Sequence, residues 1–155
     1  MPCLEETDQL VQLIDQKHEV LSQLHTLSQY QLRLAGHDQH INDLMRVLSA
    51  KQTLIERLTR IDRQMDPFRQ QNPENRAWRS ASERQRCSQT ARQCEVLLTE
   101  LKQLEQQSTD VVSAHRDEIA RMLRDTHTSS DSVNAYNNYH ETENGSSRGF
   151  DFTAE

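Results

Sequence analysis

From Glu5 to about Arg124 the apolar residues recur at steps of three and four, the spacing that gathers one face of an α-helix. In the first segment one heptad position takes Leu10, Lys17, Leu24 and Gln31, and its partner takes Leu13, Val20, Leu27 and Leu34. Ile14 and Leu21 widen the stripe, so a helix over about 5–34 is expected to meet more than one neighbour. Gly36 suits the left-handed position after a helix, and Asp38 is placed to cap the next one. A second helix follows over about 39–65, with Ile41, Leu44, Leu48, Ile55, Leu58 and Met65 as its stripe and Met45, Val47, Leu54 and Ile61 flanking it. So short a connection makes the two helices an antiparallel hairpin. Asp66-Pro67 closes the pattern, because the residue before a proline is pushed out of the helical region.

Asn72-Pro73-Glu74 reads as a cap, a first-turn proline and an acid at the positive end of a helix. The third helix is expected to start near Pro73, or near Ser82 after a kink, and to run to about Arg124. From Ser82 that is roughly 65 Å, against roughly 45 Å for each hairpin arm, so it must overhang, bend or break. The weak helix formers Ser108, Thr109 and Asp110 mark 106–115 as the place for a break. Beyond it Val111, Val112, Ile119, Met122 and Leu123 form an apolar face left partly uncovered, which marks a partner-binding site more often than an error. After Arg124 the chain turns to Ser, Asn, Thr and acids, and residues 126–155 are expected to be a disordered acidic tail. Val133, Tyr136, Tyr139, Phe150 and Phe152 are sparse apolar anchors in it. The expected fold is all-α: an antiparallel hairpin and a long third helix in a three-helix coiled-coil-like bundle over 1–125, then the tail.

Composition narrows the class. The 155 residues include 34% hydrophobic and 5% aromatic residues, three glycines and three prolines, too few strand and turn formers for a sheet protein. No run approaches the length of a membrane span and the N-terminus lacks a signal, so a cytoplasmic protein without membrane insertion is expected. Net charge is −6, yet nine arginines face five acids between Glu56 and Arg92. Without interleaved aromatics this reads as a solvated helix surface and not as a nucleic-acid site. Cys3, Cys87 and Cys94 are read as reduced, small, buried side chains. The pairs His18/His25 and His37/His40 lack the acid or cysteine partners that zinc needs, and no glycine-rich nucleotide loop is present. No catalytic residue, cofactor or metal is expected, and the chain reads as a non-enzyme. Lys17 and Gln31 are polar on the hairpin seam, answered by Lys51 and Asp62. With the turn centred near Gly36-His37, Gln31 would face Asp43 and Lys17 would approach Glu56 or Arg57, fixing register at some cost in stability.

The wording of the second helix adds a resemblance. In "LMRVLSAKQTLIERLTRID", residues Leu44, Leu48, Lys51, Gln52, Leu54, Ile55, Leu58, Ile61 and Asp62 resemble the central helix of flagellar export chaperones of the FlgN family. The first helix and its turn are similar to that family's N-terminal region, so the likeness covers about residues 8–68. It implies a cytoplasmic chaperone for type III flagellar export that holds hook-associated (hook–filament junction) proteins and presents them to an export gate component. It further implies that the C-terminal helix engages cargo, which points to Val111, Val112, Ile119, Met122 and Leu123, in a monomer or weak dimer. The competing expectation is a structural coiled-coil scaffold or self-associating adaptor.

Overall fold

The computed structural model describes residues 3–144. It is all-α: α1 (Leu4–Leu34), α2 (Ile41–Arg69) and α3 (Ala81–Asn144), with 3-10 turns at Asp38–His40 and Pro73–Asn75. Two compact units divide the chain, Met1–Val112 and Ser113–Glu155. The first is a three-helix bundle, and the hairpin with a long third helix is the expected architecture.

The ends of the helices follow local chemistry. Gly36 takes the left-handed region (φ 79°) and reverses the chain after α1. Asp38 does not cap α2; it opens the 3-10 turn, and His40 holds the N-cap position without a side-chain cap bond. Asn72 does act as a cap, its side chain accepting from the Glu74 N–H at 3.1 Å, but the turn that it starts is three residues long. The third helix begins at Ala81, where Ser80 Oγ accepts the Glu83 N–H at 3.1 Å, half of a Ser-x-x-Glu capping box.

Three expectations are corrected. Proline does not end α2, which continues past Pro67 to Arg69. Pro67 has no N–H to give the Arg63 carbonyl, yet the helix continues past it, and the extra turn carries Phe68 into a cluster with Leu10, Val11, Ile14 and Cys87. Nor does α3 break at 106–115. Ser108 is buried against the bundle, Thr109 Oγ1 donates back to the Glu105 carbonyl at 2.9 Å, and Gln106 Nε2 donates to Asp110 at 2.9 Å. Those polar side chains find partners without leaving the helix. Finally, α3 does not stop near Arg124 but runs to Asn144. From Asp125 to Asn144 the sequence holds neither glycine nor proline, and Gly145 is the first residue that favours a stop. Residues 126–144, expected in the tail, are thus helical; Phe150, Phe152 and the side chain of Tyr139 lie outside the described residues.

Within the bundle the core has two connected clusters. Val20, Leu21, Leu24, Leu54, Ile61 and Cys94 form the middle, and the Phe68 cluster closes the end near the start of α1. The pairs Asp15–Arg86, His25–Glu100 and Ser28–Glu105 advance together along both helices, which makes α1 and α3 parallel, while Lys17–Asp62 and Gln31–Lys51 run in opposite senses and make α2 antiparallel to α1. The core stripe of α2 is rotated from the expected one. Val47 and Leu54 are 5% and 8% exposed, whereas Leu48 and Ile55 are 41% and 43% exposed. Consecutive residues point about 100° apart on a helix, so only one of these adjacent rows can face the core.

Candidate partner-binding surfaces

At the centre of the bundle a polar cluster ties the three helices together. Lys51 of α2 is 6% exposed, and its Nζ donates to Gln31 Oε1 at 2.5 Å and to Glu105 Oε1. Buried Ser28 donates from Oγ to the same Glu105 oxygen at 3.2 Å. The four polar seam residues therefore pair among themselves, Gln31 with Lys51 and Lys17 with Asp62 at 3.2 Å. The expected partners Asp43, Glu56 and Arg57 are displaced because the pairs Gln31–Lys51 and Lys17–Asp62 centre the hairpin near His40 and Ile41, several residues past Gly36-His37. Each of the four members has a partner within the cluster, which acts as a register pin.

That register also explains where cover ends. Ser28 stands beside Glu105, and the parallel alignment brings Leu34, the last residue of α1, level with Val111 of α3. Val111 and Val112 are accordingly exposed at the end of the first unit. In the second unit Ile119 is exposed, and Met122 and Leu123 are 59% and 65% exposed. Each sequence-selected residue thus lies on a helix surface. Val133 and Tyr136 are also exposed on helix. No described residue from Ser113 to Asn144 is buried.

Two further surfaces escaped the sequence reading. The row Ile41, Met45, Leu48 and Ile55, expected in part as core, is exposed along α2. The hairpin also carries an open groove of about 700 Å³, walled by Ser22, Thr26, Ala50 and Thr53 over Leu27 and Leu54. Small side chains at the wall positions were visible in the sequence, but only the true α2 rotation shows that they line one channel.

The ionisable groups are structural in character. Desolvation pushes the buried Cys87 and Cys94 thiols above their ordinary value, whereas Cys3, expected to be buried, is exposed at the start of α1. Arg79 donates from Nε to both Asp8 oxygens at 3.0 Å, and these hydrogen bonds hold the carboxyl below its usual value. Asp8 and Asp15 thus draw Arg79 and Arg86 out of the basic stretch into ion pairs. Among the described residues no three His, Cys, Asp or Glu side chains converge as metal ligands, and no described helix is long and apolar enough to cross a membrane. No family model, curated protein or solved structure matches the chain.

Proposed function

We propose that the chain is a cytoplasmic chaperone of flagellar type III export, a binding protein with no reaction of its own. It holds hook-associated proteins through the apolar positions late in α3 and hands them to an export gate component. One observation carries the reading: Val112, Met122 and Leu123 stand half or more exposed on a helix, with Val111 and Ile119 beside them. Cargo whose ends fold only on assembly exposes amphipathic helical stripes, and an uncovered helix face lends them a temporary partner. The likeness of residues 8–68 to the FlgN family supports the same choice. The hairpin is then a frame, held in register by Lys51, Gln31 and Glu105.

A second reading, a structural scaffold or self-associating adaptor, draws on the exposed row Ile41, Met45, Leu48 and Ile55 of α2. Calorimetric titration of the full chain with each purified hook–filament junction protein separates the two. The chaperone reading expects saturable binding that Met122→Asp weakens by at least about tenfold, equivalent to about 1.4 kcal/mol. Ile55→Asp should leave it unchanged. Absence of binding to every such protein would overturn the reading, and self-association that Ile55→Asp abolishes would favour the scaffold.

A further inference from the structure

The residues of α3 that face the bundle include two rows at a seven-residue count, with Cys87, Cys94 and Ser108 buried. Cys87, Cys94, Leu101 and Ser108 occupy one position of the heptad, and Ala91, Leu98 and Glu105 the other. Carried forward without a skip, the first series continues as His115, Met122, Ser129 and Tyr136, and the second as Val112, Ile119, Thr126 and Val133. The seam that is covered in the bundle thus has a sequence continuation over Ser113–Asn144, where no described residue is buried. That continuation also lacks intrinsic support as a lone helix. Residues 125–144 are dominated by Thr, Ser and Asn, which are poor helix formers, and most helical stability in proteins comes from packing one apolar face. Such a helix needs a partner on its seam.

We infer that the partner is the same segment of a second copy, paired antiparallel about an axis between His127 and Thr128. In that register Ile119 meets Tyr136 of the second copy, Met122 meets Val133, and the polar centre places Thr126 against Ser129. Each of these three layers matches like with like, and two-fold symmetry repeats every pair, as an isologous interface requires. Charge selects the same direction. Residues 113–124 carry Arg116, Arg121 and Arg124 against Asp117 and Glu118, whereas 125–144 carry four acids and no lysine or arginine. Antiparallel pairing sets the basic half beside the acidic half; parallel pairing stacks the two acidic halves. The flanking positions Glu118 and Asp125 face no like charge in the antiparallel arrangement. With four apolar residues per copy meeting apolar partners, the association is weak and reversible. The inference goes beyond the chaperone reading and does not depend on it. Where that reading holds, Met122 and Ile119 are covered in the dimer, so self-pairing and cargo binding exclude one another.

The test uses the full chain without cargo. Sedimentation velocity over a wide concentration range should show the mass double, and Met122→Asp should abolish the doubling while the thermal melt of the bundle is unchanged. For direction, single cysteines at I119C and Y136C are placed in a Cys3→Ser background and oxidised separately and as a mixture. Antiparallel pairing gives a disulfide-linked dimer from the mixture and none from either variant alone. A monomer at every concentration, a dimer indifferent to Met122→Asp, self-linked dimers from each variant alone, or no linkage from the mixture would each overturn the inference. None of these outcomes bears on whether a hook–filament junction protein binds, so the two proposals fail separately.

Discussion

Lys51 shows most plainly how single residues set this structure. An ammonium 6% exposed inside a helical bundle is tolerated because Gln31 and Glu105 accept from it. Removing an acceptor leaves a buried charge short of a partner, so Glu105→Ala should cost about 1–3 kcal/mol in urea denaturation. Lys51→Met replaces the charge by an apolar side chain of similar length and should be near neutral or stabilising. Asp8 provides a pH signature. Its carboxyl titrates lower in the folded chain than its ordinary value of 3.8, so the Arg79 pair stabilises at higher pH and that contribution is lost as pH falls through the folded value. Asp8→Asn should remove that part of the acid dependence below about pH 4, seen as a flatter stability profile. The thiols divide by exposure. Cys3 should react with a thiol reagent at once, and Cys87 and Cys94, buried and with raised pKa, only as fast as the chain unfolds.

At the scale of elements, α2 is where sequence and structure part. Its apolar positions form two rows, and periodicity cannot choose between Leu48/Ile55 and Val47/Leu54/Ile61 because both repeat every seven residues. The choice is tertiary: the second row extends to Phe68, which packs on Leu10, Val11 and Ile14, and lies beside Lys51, which needs Gln31 and Glu105. Leu54→Ala should therefore cost about 2–4 kcal/mol, and Ile55→Ala less than about 1. Phe68→Ala should cost about 3–5 kcal/mol by emptying the end of the bundle, which measures how much the turn beyond Pro67 contributes. The first arm of the hairpin was legible because its leucines leave one choice of face and Gly36 leaves one choice of turn. The length of α3 was not, since Ser, Thr and Asn after Arg124 read as tail composition while the missing Gly and Pro permit helix.

For the molecule as a whole, the sequence-selected residues Val111, Val112, Ile119, Met122 and Leu123 were found by asking which apolar positions outrun their cover. The register of the bundle gives that question a physical answer: α1 ends level with Val111. What sequence reasoning missed is the heptad phase, which separates seam residues (Val112, Ile119, Met122) from flanking ones (Val111, Leu123) and joins them to Val133 and Tyr136. On the proposed chaperone reading, the hairpin is the frame and the late apolar positions of α3 are where the occupant changes. The most direct measurement of that claim is hydrogen exchange of the full chain with and without a hook–filament junction protein from the same organism. The account predicts that amides from about 111 to 124 slow markedly on cargo addition while those of α1 and α2 stay as they were. Unchanged exchange across 111–124 with every such protein present would contradict it.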